Sequence, residues 1–413
     1  MKSSVCPYLY SSPPQKSTLL TKGSGIRKKS ENTSGDKKFD SRHIFATFGY
    51  DKPMSTQRMV FWQATKSRHQ IAVLESLVQH PAVDSVELVV TQPGEIERRE
   101  MGWQPPKSAQ ITVHYGPNQA EVDLLVQKYS LKTVHIFSGI ASDQLMRLAM
   151  EACFRHGACV GIMAEASNWH GFGPKRYLRL AKHVLLRIRY GRSIRFILAM
   201  GDLGVQWYRR VGYDAQRIFP FGYFVDVPTL PAVPRQTVPQ VLFVGRALDY
   251  KGADLLLQAL AQVRDVAWSA TLITEGECRG AWEALALRLG LKDRVTFTNF
   301  EAPSAIAIRM AAADLFVLPN KADEGWGVVV NEALLQGTPV LCTTRTGAKD
   351  LIADGRGAVV EPTTHALAAA LRHQLHKGPL QEGTRRRIAS WAQEHLSGTA
   401  GAERLITAIH QTG

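Results

Sequence analysis

Two segments of this 413-residue chain set charged side chains beside glycines in a pattern suited to phosphate and hydroxyl recognition. In VLFVGRALDYKGADLLLQAL, Arg246 ends a β-rich run and Lys251 precedes a helical one, with Gly245 and Gly252 next to them. Two cations at a helix N-terminus, with backbone that can approach closely, form a receptor for a diphosphate. Taken alone, a surface loop with two solvated cations fits the same residues. Downstream, LFVLPNKADEGWGVVVNEALLQGTPVLCTT places Glu324 in the loop after a strand and Glu332 eight residues later, on the ensuing helix. Gly325 and Gly327, followed by Val328, leave the first N–H groups of that helix accessible to an anion. A carboxylate on each side of a phosphate site suits hydroxyl donors: Glu332 for a ribose, Glu324 for a sugar.

These residues need a frame. From Arg58 onward, short β-rich runs alternate with helical stretches: residues 59–63, 83–92, 109–116, 132–139, 158–165 and 195–201 read as strands. A stretch containing Pro228, Pro231, Pro234 and Pro239 interrupts the pattern and reads as a stiff linker. The alternation restarts at 241–246 and continues through 269–276, 294–300, 314–320, 339–344 and 357–362. Strand–helix alternation predicts parallel sheets wrapped by helices. The expected fold is therefore α/β, with two Rossmann-like lobes facing each other across a cleft and ligands at the carboxyl ends of the strands. The expected division is a basic, disordered extension at 1–53, an N-terminal lobe at 54–225, a linker at 226–239 and a C-terminal lobe at 240–413. The last helices of that second lobe are candidates to pack back on the first.

The VGRALDYKG, EGWGVVVNE and ALLQGTPV segments, in that order, resemble the retaining group-1, or family-4, glycosyltransferases of GT-B fold, over most of residues 239–362. The resemblance implies a nucleotide-sugar donor held mainly by the C-terminal lobe, with Arg246 and Lys251 on the diphosphate, Glu332 on the ribose and Glu324 on the donor sugar. It places Glu275, in EGECRG, and the pair Asn299–Phe300 near the nucleotide base. It also implies retention of anomeric configuration with no metal and no cofactor. The sequence has no D-x-D pair to hold Mg²⁺ against a diphosphate. Arg246, Lys251 and the helix N-terminus would stabilise the leaving diphosphate, whose oxygen would take the acceptor proton. A second reading is a nucleotide-sugar isomerase of the same fold, of the UDP-N-acetylglucosamine 2-epimerase type. The two glutamates with their upstream Arg and Lys favour the transferase.

The acceptor is expected in the N-terminal lobe, and the resemblance implies a glycan or lipid-linked molecule used in cell-envelope or polysaccharide synthesis. Where that family often has a Gly-Gly loop after the first strand, this chain has ATKSRHQ, and Ser67, Arg68 and His69 are expected to replace it. Ser138 and Gly139 end one strand and Glu165 another, all positioned for the cleft. His135, inside a strand, reads as a core histidine.

The formal charge of +14 is unevenly distributed. Residues 1–42 hold nine basic and three acidic residues among many Ser, Gly and Pro, a composition that cannot support a core. An upstream start codon would give the same tail, with Met54 or Met59 as the natural start. The other concentration is residues 174–190, PKRYLRLAKHVLLRIRY, which begin at Pro174 and stop before Gly191 as a helix should. Lys175, Arg176, Arg179, Lys182, His183, Arg187 and Arg189 share an arc of about 160° on a helical wheel, and apolar residues fill the opposite arc. No acidic residue occurs from 166 to 201. This pattern predicts a helix that sits on an anionic membrane surface; a surface helix with a basic outer face is the alternative. Five irregularly spaced cysteines indicate neither a disulfide framework nor a zinc site, and the N-terminus lacks a secretory h-region. The expected location is cytoplasmic, peripheral on the inner face of the membrane. No recognisable nucleic-acid-binding module is present, so nucleic acid is not an expected partner.

Overall fold

The computed structural model describes residues 56–64, 68–92, 110–128, 133–167, 175–228, 230 and 233–412. The expected N-terminal extension lies outside these residues. In the first lobe the strands are β1 (Gln57–Gln63), β2 (Val83–Val90), β3 (Thr112–Tyr115), β4 (Thr133–Phe137), β5 (Cys159–Ala164), β6 (Ile194–Met200) and β7 (Ile218–Phe221). Its helices are α1 (Arg68–Val78), α2 (Gln119–Lys128), α3 (Gln144–Arg155), α4 (Lys175–Tyr190) and α5 (Gly201–Val211). The second lobe contains β8 (Gln240–Val244), β9 (Ser269–Ile273), β10 (Val295–Thr298), β11 (Leu315–Leu318), β12 (Val340–Thr343) and β13 (Gly357–Val360). Its helices are α6 (Ala253–Ala261), α7 (Arg279–Arg288), α8 (Pro303–Ala312), α9 (Val329–Leu335), α10 (Thr364–Leu375), α11 (Glu382–Leu396) and α12 (Gly398–Gln411).

Both sheets are parallel, with orders β3-β2-β1-β4-β5-β6-β7 and β10-β9-β8-β11-β12-β13. Parallel strands are covered on both faces and therefore read as continuous apolar runs. In β1, Met59 and Phe61 enter one core while Val60 and Trp62 enter the core on the opposite face. Strand order reverses beside β1 and beside β8, and the crevices there open at the carboxyl ends of the strands.

The first sheet has a seventh strand that the sequence pattern did not reveal. Its IFPF segment contains Pro220, a residue that reads as a strand breaker, but β7 is an edge strand, where a missing N–H can be tolerated. The lobes touch directly. Asn331 Nδ2 donates to the Tyr223 carbonyl at 2.8 Å, and Trp326 Nε1 donates to Asn331 Oδ1 at 2.8 Å. The Tyr223 and Trp326 rings meet edge to face, 6.3 Å apart. After α11 the chain returns to the first lobe: Val225 N–H donates to Leu396 O at 3.1 Å, and α12 packs on α1.

Candidate active site

At the end of β8, Gly245 leads to Arg246, which is solvent-exposed, and a 3-10 turn at Asp249–Lys251 leads into α6. Between that turn and α6, Gly252 has φ +71°, and a Cβ there would lie 2.0 Å from the Pro319 carbonyl oxygen. Only glycine fits, and its absent side chain lets the turn dock against the end of β11. This docking brings Lys251 to Glu324, with Nζ 2.5 Å from Oε1. Asn320 Nδ2 donates to the other oxygen at 2.6 Å, so both carboxylate oxygens of Glu324 are held. Beside them Lys321 bridges Asp249 at 2.6 Å and Asp254 at 3.1 Å. Gly327 (φ +90°) turns the loop so that Val328 caps α9. Glu332 is half-buried in the first turn of that helix.

On the other flank, Glu275 Oε1 accepts from the Phe300 N–H at 2.9 Å. Arg279 Nη1 donates to the Thr274 carbonyl at 2.9 Å and to Asn299 Oδ1. Glu275, Asn299 and Phe300 are thus gathered where β9 and β10 end. Sequence reasoning missed Asn320 and Arg279. Only the position of Arg279 in EGECRG and its helical i,i+4 partner Glu283 signalled a defined role for it.

In the first lobe a cavity of about 460 Å³ opens at the ends of β4, β5 and β6, lined in part by Ser138, Gly139, Glu165, Lys182, His183 and Tyr208. A second cavity, about 170 Å³, lies between the lobes, where Glu165, Gln206 and Arg210 face Asp323, Glu324 and Gly325. Water reaches Glu165 through these openings, yet protein crowds its carboxyl group. Tyr223 Oη donates to Oε1 at 3.0 Å, and a Cβ on Gly325 would lie 1.9 Å from Oε2. Burial pushes the Glu165 pKa up, the nearby Glu324 charge adds to that, and the Tyr223 hydrogen bond opposes it. Ser67 lies outside the described residues; Arg68 and His69 open α1, and Gln70, next to them, lines the larger cavity. His135 is fully buried, accepts from Trp62 Nε1 at 3.1 Å, and has its pKa pushed down to about 4 by burial. It is a core histidine, as expected.

The structure sets the orientation of α4. The basic arc is divided: Arg176, Arg179 and His183 are half-buried toward the protein, with His183 edge-on against Trp207 at 5.1 Å, while Lys182 is exposed. Lys182 and His183 line the larger cavity, Arg187 and Arg189 remain exposed, and Lys175 opens the helix. Leu180 and Val184 pack toward the core, but Leu178 (71% exposed), Leu185 (66%) and Ile188 (65%) face solvent alongside Tyr177. An apolar outer stripe with cations at its border differs from the basic outer face of the alternative reading.

Among the described residues no cluster of three His, Cys, Asp or Glu could hold a metal ion, and no helix is long and apolar enough to cross a membrane. The sequence profile described as "Glycosyl transferases group 1" matches residues 232–394, essentially the second lobe. The D-inositol 3-phosphate glycosyltransferase of Rhodococcus opacus is 31% identical over 220 residues, which cover 49% of this chain and 48% of that protein. The phosphatidyl-myo-inositol mannosyltransferase of Mycobacterium leprae is 32% identical over 194 residues, covering 45% and 51%. The chain thus spans about half the length of these curated relatives. The two-lobed fold matches the lipopolysaccharide outer core galactosyltransferase WaaB with TM-score 0.66 at 16% identity, over 86% of this chain and 99% of that one. It also matches Anabaena HepE in complex with UDP, with TM-score 0.62 at 15% identity, over 86% and 100%. The second lobe thus matches the group 1 glycosyltransferase profile, and the two lobes together have a GT-B-like fold.

Proposed function

We propose that the protein is a glycosyltransferase that moves a sugar from a nucleotide-sugar donor, with retention and without a metal, to a glycan or lipid-linked acceptor in cell-envelope or polysaccharide synthesis. The observation that carries this reading is the Lys251–Glu324–Asn320 arrangement at the strand ends of a group 1 lobe, facing the cavity that contains Glu165. Relatives named for inositol 3-phosphate and phosphatidyl-myo-inositol support an acceptor that is a polyol or is lipid-linked, and the UDP complex of HepE supports a nucleotide-sugar donor.

In this reading Lys251 exchanges Glu324 for the donor diphosphate, which Arg246 also meets, and Glu324 is released to a hydroxyl of the donor sugar. Glu332 holds the ribose, while Glu275, Asn299 and Phe300 border the base. As the bond to the sugar breaks, Arg246, Lys251 and the backbone N–H groups of the loop from Gly325 through Val328 stabilise the growing negative charge. The acceptor enters through the first-lobe cavity past Ser138 and Gly139. The exposed stripe of α4 and its bordering cations rest on the anionic inner face of the cell membrane, which makes the enzyme peripheral there. A thermal-shift panel of UDP-glucose, GDP-mannose and ADP-glucose tests the core of this proposal. A true donor raises the melting temperature by binding linkage, and no response to any of the three would count heavily against it.

A further inference from the structure

Carboxylates near the cleft are not equally available. Glu324 has both oxygens engaged by Lys251 and Asn320, and Asp323 pairs with Arg345 at 3.3 Å. Glu165 is different: among the described residues its partner is the neutral phenol of Tyr223, and no cation pairs with it. It is also the charged residue among the three that line both cavities, the others being Ala166 and Ser167. One carboxyl group therefore separates the space offered to an acceptor from the loop assigned to the donor sugar, and it lies directly against Gly325, where any Cβ would push the Glu165 carboxyl group aside.

We infer that Glu165 is a catalytic residue that accepts the hydrogen bond of the attacking hydroxyl and aims its oxygen at the sugar held by Glu324. This rests on the transferase reading. In the step, the acceptor oxygen bonds to the anomeric carbon and the bond from that carbon to the diphosphate oxygen breaks, its electron pair leaving with the diphosphate. Glu165 holds the hydroxyl proton by its hydrogen bond while the oxygen is aimed, and as the bond to the diphosphate breaks that proton turns from Glu165 to the leaving phosphate oxygen, so Glu165 is unchanged at the end. A carboxylate that lacks a cation partner keeps its charge available to a donor, and Glu165 stands open to both cavities with only the Tyr223 hydroxyl on it. The groups that face it are Asp323 and Glu324 on the donor side, Tyr223 just after β7, Lys182 and His183 on α4, and Tyr208 and Arg210 on α5.

Water is the smallest acceptor, so the test does not depend on knowing the natural one. Release of nucleoside diphosphate from UDP-glucose, GDP-mannose or ADP-glucose would be followed for wild type and Glu165→Gln, with water alone and with myo-inositol 3-phosphate or phosphatidylinositol vesicles. Loss of a hydrogen bond to a charged group predicts a fall of about 10- to 100-fold in the variant. The donor-induced rise in melting temperature should be unchanged. Wild-type turnover should fall at acid pH as Glu165 takes up a proton, and Glu165→Gln should lack that limb. Tyr223→Phe, which leaves the charge but removes its orienting donor, should lose activity in the same direction and by less. Turnover of Glu165→Gln within threefold of wild type with the acid limb intact overturns the inference, as does loss of donor binding in that variant. If wild type neither binds nor turns over any of the three donors, the transferase reading itself fails, and the inference with it.

Discussion

In the second lobe most of the charges at the strand ends are engaged, Lys251 with Glu324, Lys321 with Asp249 and Asp254, Arg279 with Glu283 and the Asn299 amide, while Arg246 stands exposed. In the first lobe Glu165 has only a phenol, Lys182 and His183 face an open cavity, and Leu178, Leu185 and Ile188 face water. On the proposed reading the difference follows from what each lobe recognises. A nucleotide diphosphate is a fixed chemical unit, and its proposed receptor is built from two strand–loop–helix units whose countercharges lie within or beside them. The proposed acceptor surface is assembled from the ends of β4, β5 and β6 together with α4 and α5. Its groups are left under-satisfied relative to a buried core, as functional surfaces commonly are.

The sharpest way to break this contrast is Glu324→Ala. If Glu324 serves the donor sugar and Lys251 the diphosphate, the variant should lose transfer by about 10³-fold, comparable to removing a key transition-state contact. The nucleotide-induced thermal shift should survive, because Lys251 is released rather than removed. Loss of both together would mean that the carboxylate helps to build the diphosphate receptor, and the proposed division of labour would be wrong.

The same contrast explains what was legible beforehand. The second-lobe residues sit in contiguous motifs, so Arg246, Lys251, Glu324 and Glu332 stand out as candidates through their spacing together with the resemblance those motifs carry. Asn320 could not, because an asparagine ending a strand resembles any loop residue until Gly252 lets the 249–251 turn approach β11. Alternating strands and helices announced two parallel sheets, but β7 was hidden by Pro220, whose tolerance depends on an edge position that only the assembled sheet defines. Periodicity separated the two arcs of α4. It did not say which arc faces inward, since that depends on a cavity formed by residues distant in the chain.

A smaller effect sharpens the first-lobe side. If the outer stripe of α4 rests on lipid, replacing Leu178, Leu185 and Ile188 by Ser should reduce sedimentation with phosphatidylserine vesicles. So should Arg187→Gln with Arg189→Gln, because each cation near an anionic surface contributes about 1 kcal/mol. Both combined variants should fall by roughly tenfold or more, the charge variant losing its deficit at high salt. Unchanged sedimentation in both would leave the stripe without a lipid role.

The smallest effect concerns stability, and it sets the lobes directly against each other. The folded protein raises the pKa of Glu165 through burial and the charge of Glu324, so the native state holds that proton more tightly than the unfolded chain does. The resulting stabilisation is present below the unfolded glutamate pKa of about 4.3 and is lost as pH rises through the higher folded value. At neutral pH the ionised Glu165 is therefore a cost that a neutral isostere avoids. Glu165→Gln should melt slightly above wild type near pH 7, and the gain should vanish as the pH approaches 4. The same change at Glu324 should do the opposite, because Gln cannot neutralise Lys251, and breaking a partly buried ion pair from one side is destabilising. Opposite signs from one substitution at two carboxylates across a single cleft would tie the contrast between the lobes to their electrostatics. Equal signs would mean that the acceptor side is as well matched as the donor side, and that the vacancy beside Glu165 has no energetic consequence.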